Sequence, residues 1–156
     1  MRKLVLLLAL FSPLTSFAEA MPIKYSTECV LKAILKHKGL EFRPDIEIPK
    51  VIVGSKSSLK EFQDAMEPQW KMRPENFTNA YAVHLNQIFL MDELAYYKRT
   101  NRFVDDSLAH ELQHYVQVKY RGWALDGADD SLELDAINVQ TWFREEFMLT
   151  GKNPCK

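Results

Sequence analysis

Hydrophobic positions recur with a helical period in four stretches of the chain. Val30, Leu31, Ile34 and Leu35 share one side of a segment that opens at Ser26-Thr27-Glu28. It closes at Lys36-His37-Lys38-Gly39, with basic groups in the last turn and glycine as the stop. His37 reads as a surface residue that complements the helix dipole, not as a ligand. Ser58 and Glu61 have the spacing of a capping box and open a short helix with Leu59, Phe62 and Met66 inward, before a loop over 68–74. Leu108, Leu112, Tyr115 and Val116 predict a third helix that Asp105 or Asp106 caps and Arg121-Gly122-Trp123 ends. Ala136, Val139, Phe143 and Phe147 form the stripe of a long fourth helix, about Ser131 to Leu149, ended by Gly151 and Pro154.

Between these lie segments of shorter period. Pro44 and Pro49 bracket extended chain, and Val51-Ile52-Val53 reads as a strand. Residues 79–91 read as a β-hairpin, with Tyr81, Val83 and Leu85 alternating with Ala80, Ala82 and His84. Asn86-Gln87 is the expected turn and Ile88-Phe89-Leu90-Met91 the returning strand. His84 falls with the two alanines, on what should be the more open face, and reads as a surface residue. Asp92 is placed to cap a short helix running through Tyr97. A loop rich in Gly and Asp spans 121–130. The order predicts one α+β domain, a small antiparallel sheet or hairpin packed on two helices.

The first twenty residues stand apart. Arg2 and Lys3 precede the short apolar run Leu4 to Phe11, too short to span a bilayer. Ala18-Glu19-Ala20 offers small residues at both cleavage-recognition positions. This predicts a signal peptide over 1–20, cut before Met21 or, alternatively, after Ala18, and a single domain over 21–156. Export to a bacterial periplasm is the expectation, with no membrane insertion after cleavage. Losing Arg2, Lys3 and Glu19 takes the 20 basic and 21 acidic groups to 18 and 20. A charge so near balance argues against a nucleic-acid or anionic-membrane binder. The 2 cysteines, Cys29 and Cys155, stand near opposite ends of the mature chain. In an oxidising compartment such a pair bonds; the alternative is two buried thiols.

The third helix carries the candidate chemistry. Residues 110–114 read His110-Glu111-Leu112-Gln113-His114. Imidazoles four residues apart on a helix share a face and can grip one metal ion. The glutamate after the first is then placed to take a proton from metal-activated water. Two histidines need a further ligand, and Glu133 is the leading candidate. Eighteen residues past His114 is enough chain for a loop and an antiparallel return. Asp130 and Glu133 also have capping-box spacing, so Glu133 could instead close its own helix. Asp129 or Asp126 is the runner-up ligand.

In these residues the chain resembles the gluzincin peptidases, the thermolysin-like and related families. A Glu on a helix downstream of the pentapeptide completes their site, and Glu133, in the form Glu-x-x-Ala, is the residue the resemblance matches to it. Asn79-Ala80-Tyr81 is similar to the Asn-Ala-aromatic segment of thermolysin-like enzymes, whose strand edge pairs with substrate backbone. The resemblance spans 79–140 and implies a minimal zincin-like domain binding Zn2+ through His110, His114 and Glu133. It departs at Ile137, where the family has an Asp that orients a zinc histidine; Asp135 or Asn138 are the candidates to replace it.

The expected function is a zinc-dependent peptidase acting on peptide or protein substrates in the bacterial envelope, with Glu111 as general base. The competing reading is a non-catalytic, zinc-stabilised binding or scaffold domain. Retention of Glu111 favours the enzyme, because a purely structural zinc site has no use for a base. Tyr115 and Tyr120 are the hydroxyls nearest the motif in sequence, and aromatic residues at such spacing are more often core.

Overall fold

A computed structural model describes residues 19–125 and 130–156. The segment expected to be a signal peptide lies, up to residue 18, outside the described residues. The fold is α+β: helices α1 (Thr27–His37), α2 (Leu59–Trp70), α3 (Leu94–Thr100), α4 (Val104–Lys119) and α5 (Asp130–Phe143), with strands β1 (Lys50–Val53), β2 (Ala80–Ala82) and β3 (Gln87–Leu90).

The expected hairpin is present as β2 and β3, antiparallel, with Tyr81 opposite Ile88. Its first strand is shorter and its turn longer than the alternation suggested, residues 83–86 in place of Asn86-Gln87. Val83–Leu85 forms a 3-10 turn and Asn86 takes a left-handed conformation, φ 48°. A third strand makes the sheet mixed. β1 pairs in parallel with β3, giving the order β1-β3-β2. Parallel pairing requires a crossover, and the connection that runs through α2 supplies it.

The strand period sorts the sheet between two cores. Tyr81, Ile88 and Leu90 face α1, α4 and α5, joining Val30, Leu112 and Phe143. Ala80, Ala82 and Phe89 face α2, under Phe62 and Met66. The alanine face is therefore covered, not open. Small side chains there let α2 approach the sheet closely. A fully buried side chain such as Phe62 or Leu112 stabilises the fold by about 1.5–3 kcal/mol.

Local signals explain most helix ends. The Ser26 hydroxyl accepts the Cys29 N–H, and Gly39 stops α1 at φ 66°. Ser58 and Glu61 form the expected capping box. α2, however, runs on through Pro68 to Trp70, where a loop was expected. Proline removes one helical donor near the end of the helix. Packing of Trp70 edge-on against Phe62, at 5.8 Å between centroids, helps offset this. Asp92 does not cap α3. It is buried and accepts instead from the Ser55 N–H at 2.9 Å and the Ser55 hydroxyl. His37 stacks on Trp142 at 3.9 Å, and burial lowers its pKa. α5 ends in a single π-helical turn, Arg144–Met148.

α4 is the central helix, and its polar residues are buried with its apolar ones. Asp105 accepts the N–H groups of Lys24 and Tyr25, 2.9–3.1 Å away. Asp106 accepts the Phe103 N–H at 2.9 Å and caps the helix from its first turn. Cys29 and Cys155 are disulfide-bonded, tying α1 to the C-terminal segment. No described helix is long and apolar enough to cross a membrane.

Candidate metal centre

α4 places His110 and His114 one turn apart, and α5 returns antiparallel to bring in Glu133. The two Nε2 atoms lie 3.2 Å apart. Glu133 Oε1 is 3.2 Å from His110 Nε2, and Oε2 is 3.3 Å from His114 Nε2. All three ligand atoms fall within 4.8 Å of one another, an arrangement that can hold a metal ion. The Glu133 carboxylate reaches both histidines. Asp126 and Asp129 lie outside the described residues.

The donor set can be tested by tracing its protons. Gln117 Nε2 donates to the Leu132 carbonyl at 2.9 Å, which fixes the amide orientation. Gln117 Oε1 can then only accept, and it takes the proton on His114 Nδ1, 2.9 Å away. Near the other ring, Gln140 Nε2 donates to Asp106 Oδ1 at 2.8 Å, and the Gln140 side chain lies close enough to His110 to favour its protonated form. His114 therefore keeps Nδ1–H and turns a bare Nε2 toward His110 and Glu133. Two imidazole nitrogens and a carboxylate suit a divalent cation.

Burial reinforces this state. Desolvation, with His114 close by, lowers the His110 pKa to about 4, so the ring stays neutral at neutral pH. Asp135 does not reach either histidine. It acts one bond further out, accepting from Gln117 Nε2 at 3.2 Å and Gln113 Nε2 at 2.6 Å while pairing with Lys38 at 2.5 Å. Ile137 is exposed. Glutamines thus stand where a carboxylate was expected. Sequence reasoning missed Gln117 and Gln140; the available signal was polar residues falling on the buried stripes of their helices.

Glu111 is buried at the floor of a cleft of about 630 Å³ that His110, His114 and Glu133 also line. The end of α2, with Gln69 and Trp70, and Met72 just beyond it form another wall. Burial, then the charge of Glu133, push the Glu111 pKa up to about 8, opposed by a backbone hydrogen bond from Tyr81. The tyrosine hydroxyls point elsewhere. Tyr115 donates to the Glu47 carbonyl at 3.0 Å, and Tyr120 accepts the Arg43 N–H at 3.2 Å. His84 belongs to the 3-10 turn and lines a different groove, against β1.

A stability consequence follows for the metal-free protein. Folding raises the Glu111 pKa from 4.5 to about 8, so its contribution is fully present below the lower value and is lost as pH rises toward the upper one. Glu111→Gln carries no such charge. Its thermal midpoint in chelator should rise relative to wild type between about pH 5 and about pH 8. A difference that stays constant across that range would show that Glu111 titrates as a solvated carboxylate.

Compared with known proteins, the chain matches no family model, no curated protein and no solved structure.

Proposed function

We propose that the chain is a zinc-dependent peptidase of gluzincin type, a minimal zincin-like domain exported to the bacterial periplasm. One observation carries the reading. His110, His114 and Glu133 converge on a point beside the buried carboxylate of Glu111, in an open cleft bordered by β2. Among the described residues no further histidine, cysteine or carboxylate joins the group. Three protein ligands with a fourth position for water are the pattern of catalytic sites, whereas a structural site is closed by a fourth ligand. The disulfide and the absence of a membrane-crossing helix among the described residues are compatible with export.

His110, His114 and Glu133 would hold the zinc. Bound there, zinc supplies a Lewis acid that polarises a carbonyl and acidifies water. Glu111 accepts the proton of the attacking water and passes it to the leaving amine. Its burial in the cleft shared with His110, His114 and Glu133 keeps the Glu111 carboxyl beside the metal group, where it can take up and hand on a proton. Gln117 holds the His114 imidazole in the tautomer that leaves Nε2 free. The walls of the cleft exclude part of the solvent and offer Trp70 and Met72 as apolar contacts.

Zinc titration tests the ligand set. The protein should take up one equivalent at neutral pH, and His110→Ala, His114→Ala or Glu133→Ala should abolish stoichiometric uptake. Gln117→Leu should weaken binding by about 10–100-fold while the fold, followed by circular dichroism, persists. Full affinity in Glu133→Ala together with loss in Asp129→Ala would transfer the third ligand to Asp129. Full affinity in the histidine variants would end the metal reading.

A further inference from the structure

β2 is one of the two outer strands of the sheet, yet its free edge is not bare. Gln69 Nε2 donates to the Tyr81 carbonyl at 3.1 Å, and Gln69 Oε1 accepts the Val83 N–H at 3.0 Å. One carboxamide therefore takes up both the acceptor and the donor that a neighbouring strand would use. The third edge group, the Tyr81 N–H, is turned to Glu111. This edge forms one wall of the cleft that His110, Glu111, His114 and Glu133 line.

Gln69 belongs to a part of α2 that is built to yield. Pro68 removes the helical donor immediately before it, and Lys71 ends the helix in a left-handed conformation, φ 57°. Beside it, Trp70 and Met72 are exposed on the same cleft wall. A peptide chain laid along β2 would offer an N–H to Tyr81 and a carbonyl to Val83. The exchange is one for one, so displacing Gln69 leaves neither backbone group unpaired.

We propose that Gln69 is a latch, a side chain that occupies the docking edge of β2 until an extended polypeptide displaces it. The proposal rests on the peptidase reading for what happens afterwards, and on the Gln69 hydrogen bonds for the docking itself. The latch selects for extended backbone, because only a segment able to replace both bonds competes with it. Folded or helical segments, whose backbone groups are already paired, leave it closed.

The test uses the zinc-loaded protein in the Glu111→Gln background, so that the probe is not cut. The probe is a blocked hexapeptide of alternating alanine and valine. Amide hydrogen exchange at Val83 and the probe's dissociation constant are measured with Gln69, with Gln69→Ala and with Gln69→Glu. Without probe, Gln69→Ala should expose the Val83 amide and speed its exchange by about ten-fold or more. Probe affinity should tighten by roughly 3–10-fold, because no latch must be displaced, and saturating probe should restore protection. Gln69→Glu keeps the length of the side chain and the bond from Val83 but cannot donate to Tyr81, so it should fall between the two. Unchanged or weaker probe binding in both variants would overturn the latch, leaving Gln69 as a cover for a strand edge or a direct peptide contact. Hydrolysis is scored separately with Glu111 intact. Probe-dependent protection at Val83 without any cleavage defeats the peptidase reading and keeps the latch; cleavage with Val83 unaffected by probe does the reverse.

Discussion

Glu111→Gln should fold and bind zinc like wild type yet hydrolyse peptides at least about 100-fold more slowly. The side chain lies at the cleft floor and is not among the three groups that converge. Glutamine preserves its volume and its ability to accept the Tyr81 N–H, so neither packing nor the edge strand is disturbed. What it cannot do is take a proton from water. The first substrate to use is a digest of denatured protein, which samples many sequences at once, with new amino groups as the readout. Equal rates in the two proteins would remove Glu111 from the mechanism. Zinc bound in both and cleavage in neither, across broad peptide mixtures, would favour the non-catalytic binding domain.

Reducing the Cys29–Cys155 disulfide should produce the largest loss of stability available without touching the core. The bonded residues are 126 positions apart, so the bridge closes nearly the whole described chain into a loop. In the chain-entropy model such a closure stabilises by about 4–5 kcal/mol. For a domain of this size the thermal midpoint should fall on the order of 15 °C on reduction. The bridge joins α1 to the segment beyond Gly151 and lies away from the cleft. Zinc uptake at low temperature should therefore survive reduction while thermal resistance does not. A midpoint unchanged by reductant, with two thiols titrated afterwards, would show that the termini are held without the covalent link.

Much of the site was legible because it is built on one helix. A period of 3.6 residues determines that His110 and His114 share a face, and the caps that bound α1 and α2 are local hydrogen bonds written in a few adjacent residues. Glu133 was legible more weakly, from chain length and from the resemblance at 79–140. Its competing role as a cap uses the same spacing, and only the return of α5 onto α4 brings its carboxylate to the histidines. The hairpin of β2 and β3 was visible in its alternation, but the burial of its alanine face was not. Alanine is compatible with an open surface and with a close-packed one, and α2 decides which.

The sequence by itself determined the chemistry on offer: a His-Glu-x-x-His face, a downstream carboxylate, a cysteine pair and an α+β order of elements. The tertiary structure alone decided how those groups are held. Gln117 orients the His114 imidazole while bonding across to α5, and Gln140 of α5 bonds back to Asp106 of α4. Asp135 braces Gln113 and Gln117 from α5, and Lys38 reaches it from the end of α1. Gln69 closes the β2 edge from a helix twelve residues upstream of Tyr81. Each of these is a pairing between residues distant in the chain, made because a buried polar group must find a partner wherever packing brings one. No local period encodes that choice.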